Sequence, residues 1–580
     1  MSVLGRLSPR ARFGAALGAV LVVALLLRLW GIGSGLPYIY DTDENQHFVP
    51  HAIGLLGHRG NPNYFDNPPA FTYLLAIAFE LYFGGRAALS HAFAVSPTEV
   101  WVIARTVTAL LGVAAVWLLY AVARRLFDRR VALLSAALMA VAFLPVFYAK
   151  LALNDVPTLV GIELCLWGAA AILRGGRTRA YALAGIGLGV ASATKYTGGI
   201  VVLPLAAVCF LLARDRAHRA EVLRGAVLAG GLAVLAFVIC DPYSLLAFSS
   251  FKAGIAHQGS ESAAASGKLG LTHGSGVLYY LWTVTWGVGW LPAIGALAAL
   301  PLLWLRERRL LLFFVPALVL YLLFMGLQGR YFGRWLMPVV PMICVLAAYT
   351  TVAVGEAGAS RLDRLHLPAG LARTALPLLA GALLCAQGLV YSIHAGLVGA
   401  RADTRNTARA WLVAHVPAGT GVVIEPVVPE EWGLDVGHPL ATANGYRWRG
   451  FPVLRTNTLD GSFVLDAGTS VTVENYERLL SPSLLAFYEP SGFCYVVTGS
   501  QQSGRAYADP AAVPGAIAYY RALRRDARLV YTASPYSRAS APVAFNFDWS
   551  FDYYPLAYER PGPLLEIYRL PGGRCSNVRS

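Results

Sequence analysis

A polytopic helical membrane protein with an α/β domain at its C-terminal end is the fold class this sequence predicts, and three observations predict it. Of 580 residues, 57% are hydrophobic and 14% charged, with a mean hydropathy of +0.55; soluble globular domains carry about 25% charged residues. Apolar runs of near-spanning length recur from the N-terminus to about residue 394. From about Ala402 the pattern changes to amphipathic stretches, short β-branched runs and loops rich in Pro and Tyr.

The charge pattern orients the runs. A formal charge of +15 in a soluble chain would suggest nucleic acid, but here the arginines cluster in short loops between apolar segments, as cytoplasmic loops do. No nucleic-acid motif is evident, and no nucleic-acid partner is expected. Arg6, Arg10 and Arg12 precede the first run, 13–30, which reads as an uncleaved span because many spans follow it. The N-terminus is then cytoplasmic and the loop 31–100 external. Run 102–120 returns. Five further arginine-rich loops, at 124–130, 174–179, 214–224, 306–309 and 361–373, must share the cytoplasmic side, so an even number of crossings separates neighbours. Runs 131–148 and 156–173, 181–194 and 200–212, 227–240 and a segment ending near 305, and 310–327 and 336–354 supply those pairs. Run 375–394 leads outward. The total is about 11 spans. Two apolar stretches, 70–83 and 277–286, do not fit as crossings and read as helices at the outer interface.

Two parts follow: a membrane domain over 1–400 and an extracytoplasmic α/β domain over 401–580. The latter should open with a helix over 403–416. Strands are expected at 421–425, 494–498, 528–532 and 565–569, with a helix over 514–525. Five of the seven cysteines, Cys165, Cys209, Cys240, Cys344 and Cys385, sit in apolar segments and read as small buried hydrophobes. Cys494 and Cys575 fall in the exported part, where an oxidising compartment permits pairing. No cysteine spacing suits a metal.

Polar residues gather on the external side. Asp41, Asp43 and Glu44 follow the first span, and three carboxylates there must be solvated, paired or metal-bound. The competing reading is structural, with Asp43 capping a helix that begins near Glu44. Asn154 and Asp155 follow the third crossing at the same depth; Asp155 too is a cap candidate, since Pro157 suits a first helical turn. Two carboxylates at one face are what acceptor activation requires: one takes a proton from a hydroxyl, the other orients it or holds a cation. Lys150, Lys195 with Tyr196, and Arg330, Tyr331 and Arg334 lie on the same side. A single Lys at a span end usually snorkels, but convergence with carboxylates suggests a bound anion such as phosphate. The loop 241–275 holds His257 and His273, both weak metal candidates, and reads as a flexible substrate loop.

Taken in order, these motifs resemble a known family. Asp43-Glu44 resembles its first acidic motif, and Phe65-Asp66-Asn67-Pro68-Pro69 its juxtamembrane Pro-Pro segment. Leu151-Ala152-Leu153-Asn154-Asp155-Val156-Pro157 resembles its second acidic motif, Ala193-Thr194-Lys195 its lysine-bearing hairpin, and Arg330-Tyr331 through Pro338 and Pro341 its late Arg-Tyr/Pro segment. The family is the GT-C glycosyltransferases of the protein O-mannosyltransferase and aminoarabinose lipid A transferase type. The resemblance implies a GT-C fold and an inverting transfer of a sugar from a polyprenyl-phosphate donor to an acceptor hydroxyl on protein, lipid or glycan. It places the enzyme in a bacterial plasma membrane, with its active site and C-terminal domain outside. It implies catalytic roles for Asp43 as base, Glu44 and Asp155, and substrate binding by Asp41, Lys195, Tyr196, Asn154, Arg330, Tyr331, Arg334, Asp66 and His273. The transfer it implies is metal-independent or weakly metal-assisted, so no cofactor is required and a divalent cation is the one candidate. One departure stands out: the aminoarabinose branch has an acidic-lysine pair where this chain has Asp66-Asn67. Two other classes compete. A transporter or flippase would place its ionisable groups near the bilayer midplane, and a non-catalytic envelope protein would bind glycan through its exterior domain.

Overall fold

The computed structural model describes residues 8–572 except 58–59, 264–268, 270–273, 365–368, 435–446, 452–461, 465–469, 473–475, 538–539, 547 and 550–552. The chain enters with α1 (Pro9–Leu29), then two short helices, α2 (Thr42–His47) and α3 (Val49–Leu55), and the apolar α4 (Ala70–Phe83) and α5 (Arg86–Val95). Next come α6 (Pro97–Leu126), α7 (Arg129–Val141), α8 (Phe143–Tyr148), α9 (Pro157–Leu173) and α10 (Thr178–Thr194). A 3-10 turn at Tyr196–Val201 leads into α11 (Val202–Ala213), followed by α12 (Arg219–Cys240), α13 (Tyr243–Leu246) and α14 (Phe248–Ala263). Then α15 (Gly276–Gly287), α16 (Trp290–Arg306) and α17 (Arg308–Gly326) precede a second 3-10 turn, Gly333–Val339, and α18 (Val340–Arg364) and α19 (Ala369–Gly399) complete the bundle.

Among the described residues, seven helical segments are long and apolar enough to cross a membrane, and the pair α15–α16, bent by 114°, would make an eighth. The other three of the eleven expected crossings are short or broken: α9 and α10 have 17 residues each, and α7–α8 breaks at Ala142. The break has a local cause. Pro145 carries no N–H and its ring crowds the carbonyl four residues back, that of Val141. Ser392 donates to that carbonyl at 2.9 Å, and Arg28 donates to the carbonyls of Ala140 at 3.0 Å and Met139 at 3.3 Å. Backbone groups freed inside a bilayer need such partners.

Helix α10 is short and only mildly apolar because it is enclosed by protein. A Cβ at Gly185 or Gly189 would strike the α12 backbone at Ala229 or Ala233, and one at Gly187 would strike α9 at Cys165. Small residues on two faces let three backbones close together, as membrane helices do where apolar burial gives no drive. The packing fixes the ends of α9 and α10 that adjoin Asp155 and Lys195.

After α19 comes α20 (Thr404–His415), capped by Asp403, and then a mixed five-stranded sheet. Its strands are β1 (Gly421–Ile424), β2 (Arg449–Phe451), β5 (Phe493–Gly499), β6 (Arg528–Ala533) and β7 (Leu565–Arg569), in the order β2-β1-β5-β7-β6. A separate hairpin pairs β3 (Ser462–Val464) with β4 (Ser470–Thr472). The four strands and two helices expected here lie within two residues of the observed elements, which include α23 (Ser500–Ala508) and α24 (Pro514–Asp526) after the short α21 (Tyr476–Leu479) and α22 (Pro482–Tyr488). Cys494 is disulfide-bonded; Cys575, its expected partner, lies outside the described residues.

This domain is tied to the loop between α1 and α2. Asn406 donates to the carbonyls of Gly35 and Leu36, both at 3.1 Å, and accepts from the Tyr40 hydroxyl at 2.5 Å. The Arg405 guanidinium lies 3.5 Å from the Tyr40 ring centroid. Below, the hydroxyls of Tyr148 and Tyr553 meet at 2.9 Å.

Candidate active site

Helix α2 starts two residues earlier than the capping alternative required. Asp41 is its cap, accepting from the Glu44 N–H at 2.9 Å. Asp43 is therefore relieved of capping, and its carboxylate meets Arg334, which reaches it from the 3-10 turn before α18. Asp155 does not cap either: α9 has no side-chain cap bond. Its Oδ1 lies 2.5 Å from Lys195 Nζ and its Oδ2 3.9 Å from Arg334 Nε. The four groups form an alternating row, Asp43–Arg334–Asp155–Lys195. Asp155 is 2% exposed, whereas Asp43 keeps a third of its side chain open.

Electrostatics separate the first two acids. Burial alone would raise Asp43, but the Arg334 charge and His47 outweigh it and hold the group well below the carboxylate range. Asp41 is pushed up to about 6, first by burial and then by the Asp43 charge beside it. Near neutrality both are ionised; just below 6 the pair keeps one charge, on Asp43.

Glu44 stands outside the row. It is fully buried and clamped by Arg105, which donates Nε at 2.7 Å and Nη2 at 2.8 Å. The Ala152 N–H donates to it at 2.8 Å, and Arg105 also donates to the carbonyls of Ile32 and Ser34. This ion pair joins the loop after α1, α6 and the segment that leads to Asn154 and Asp155. In place of the chemistry expected of Glu44, the geometry gives it a bracing role.

The remaining expected residues divide. Asn154 donates to the Thr194 carbonyl at 2.8 Å, fastening the acidic motif to the lysine hairpin. Tyr196 donates to the Phe65 carbonyl at 2.9 Å. Asp66 pairs with His257 at 2.9 Å. Arg330 is drawn elsewhere, to Glu261 at 3.3 Å and the Ser262 carbonyl at 3.0 Å on α14, and Tyr331 packs on Tyr279 with centroids 4.6 Å apart. His273 lies outside the described residues.

Sequence reasoning missed Arg105, His47 and Tyr64. An arginine inside an apolar run was a signal for the first. For His47 the signal was its place one helical turn after Asp43. Its Nε2 lies 3.5 Å from Asp43 Oδ1, and its Nδ1 lies 2.7 Å from the Tyr64 hydroxyl.

A divalent cation needs four or more ligands. Among the described residues no three His, Cys, Asp or Glu side chains gather in a metal-binding group. Asp66 with His257 supplies two donors, and two fall short of a protein-built metal site.

Residues 66–243 match the family model described as dolichyl-phosphate-mannose-protein mannosyltransferase. That match includes Asp155 and Lys195 and begins after Asp43. No curated protein sequence matches the chain. Among solved structures, the archaeal oligosaccharyltransferase AglB from Archaeoglobus fulgidus, in complex with an inhibitory peptide and a dolichol-phosphate, is similar with a TM-score of 0.52 and 13% identity, covering 98% of this chain and 77% of that one. The apo form of the oligosaccharyltransferase from that organism gives 0.51 and 13%, covering 94% and 75%. ArnT from Cupriavidus metallidurans, bound to undecaprenyl phosphate, gives 0.48 and 15%, covering 96% and 97%.

Proposed function

From the premise that the chain has the GT-C membrane-glycosyltransferase fold, we propose that it transfers a sugar from a polyprenyl-phosphate donor to an acceptor hydroxyl at the external membrane face. The observation that carries this reading is the row Asp43–Arg334–Asp155–Lys195. It sets a partly open carboxylate beside two cations, the charges that deprotonation and a phosphate leaving group require. The lipid-phosphate ligand of the similar oligosaccharyltransferase supports the donor class. The disulfide at Cys494 supports an exported domain over 401–580, joined to a membrane domain over 1–400.

In the step proposed, the acceptor hydroxyl gives its proton to Asp43 as its oxygen bonds to the anomeric carbon. The bond from that carbon to the phosphate oxygen breaks, with inversion. The electron pair leaves with polyprenyl phosphate, whose charge Lys195 and Arg334 offset. Asp155, with Asn154 beside it, holds those cations in register until the donor arrives. Donor binding draws Arg334 toward phosphate and loosens its hold on Asp43, so the base gains proton affinity when the donor is in place. Asp66, His257 and Tyr196 form the neighbouring wall, where the headgroup would lie.

The test uses a deletion strain complemented with variants, with envelope glycans and glycoproteins read by mass spectrometry. Asp43→Asn is expected to abolish the transfer product while leaving membrane abundance and undecaprenyl phosphate binding at wild-type levels. Normal product from that variant would remove the base assignment.

A further inference from the structure

Four side chains outside the ion-pair row share one directed line of hydrogen bonds, and its direction is set by a group that can only accept. The Thr194 carbonyl, next to Lys195, receives a proton from Asn154 Nδ2 at 2.8 Å, which fixes the orientation of that amide. The same nitrogen faces Asn67 Oδ1 at 3.4 Å. Asn67 must then present its own Nδ2 to the Tyr64 hydroxyl, which it does at 2.9 Å. Tyr64 has one proton, and among the described residues the acceptor bonded to it is His47 Nδ1, at 2.7 Å. With Nδ1 an acceptor, the ring proton resides on Nε2, 3.5 Å from Asp43 Oδ1. The opposite tautomer would aim a lone pair at the carboxylate and leave the Tyr64 proton without that partner.

We propose that His47 is a positioning residue for Asp43, locked by Tyr64, Asn67 and Asn154 in its Nε2–H tautomer. The proposal rests on the reading of Asp43 as the base. The lock is also mechanical: the Tyr64 ring stacks on His47 at 5.4 Å and on His51 at 4.4 Å, with interplanar angles of 14° and 11°. Arg334 engages one oxygen of Asp43 and the His47 N–H the other, so the carboxylate plane is fixed from both sides. A free lone pair on Oδ1 remains for the acceptor hydroxyl. The line also explains the chemistry at position 67. An amide that accepts from Asn154 and donates to Tyr64 passes the direction on, whereas a lysine there would supply donors only.

Two readouts test this. In nanodiscs with ¹⁵N-labelled histidine, assigned by loss of the His47 signal in His47→Gln, His47 should show a protonated Nε2 and an unprotonated Nδ1. Tyr64→Phe, which keeps the stacked ring, should abolish that preference. In transfer assays His47→Ala should lower turnover about 10–100-fold, as loss of an orienting partner does, with undecaprenyl phosphate binding unchanged. His47→Gln, whose amide nitrogen takes the Nε2 place, should restore most of the rate. A proton found on Nδ1, a His47→Ala enzyme at full speed, or a glutamine variant as slow as alanine would each overturn the proposal. Failure of the base reading looks different: Asp43→Asn would then turn over normally whatever tautomer His47 shows.

Discussion

Asp41 and Asp43 sit two residues apart yet do opposite work, and the difference predicts a pH response. Above about 6 Asp41 is ionised, and its negative charge raises the proton affinity of Asp43. Below that value Asp41 is neutral and Asp43, still held by Arg334, becomes a weaker base. Transfer should therefore fall as pH drops through about 6. In Asp41→Asn, which preserves the helix cap, the rate should be low and flat from pH 5 to 7. A second contrast separates Asp43 from Glu44. Glu44→Ala leaves Arg105 charged and buried without its partner, at a cost of about 3–5 kcal/mol, so membrane abundance should collapse on immunoblots where Asp43→Asn leaves it intact. The acids and bases of the row were legible because each is a costly charge at the end of an apolar run. What sequence did not reveal was which arginine of the pair at 330 and 334 meets Asp43, since that depends on the path of the chain from α17 into the 3-10 turn at Gly333–Val339. Nor did it separate Asp43 from Glu44, whose opposite burial follows from successive positions pointing to different sides of a single helical turn.

At the scale of elements, placement of the row depends on α10. Its glycines serve two neighbours at once: Gly185 and Gly189 lie against α12, and Gly187 against α9. Gly185→Val should cost about 1–3 kcal/mol by overpacking, lowering the thermal midpoint in detergent. It should also weaken undecaprenyl phosphate binding, because Lys195 follows directly at the helix end. The same glycines explain why hydropathy understated this bundle. A helix lined by small residues and packed between two neighbours needs little apolar character of its own. The 114° bend between α15 and α16 was likewise foreshadowed by a stretch rich in Tyr and Trp that fitted no crossing.

Across the whole molecule, the C-terminal domain is clamped to the loop that leads from α1 to Asp41 and Asp43, through Asn406 and Arg405. Its strands were readable from β-branched runs; these docking contacts were not, since they join residues about 370 apart in sequence. Inside that domain, Glu425 accepts from the Gly499 N–H and the Tyr520 hydroxyl, both at 2.7 Å, and burial pushes it up to about 8 from an ordinary 4.5. Between those values the folded state keeps a proton that the unfolded chain has lost, so stability declines as pH rises from about 4.5 to 8. Glu425→Gln should flatten that decline in thermal melts taken from pH 5 to 8. One more consequence follows from the alternating row beside the bilayer. With two acids matched by two bases in the row and Asp41 ionised beside them near neutrality, the resting pocket carries no surplus of positive charge, and ordinary anionic phospholipids in vast excess gain little by intruding. A visitor that pulls the cations away strands two carboxylates, so the favoured guest brings hydroxyls to satisfy them along with its phosphate. On the function proposed above, selection against the surrounding lipid sea would thus be written into the charge balance before any sugar is recognised.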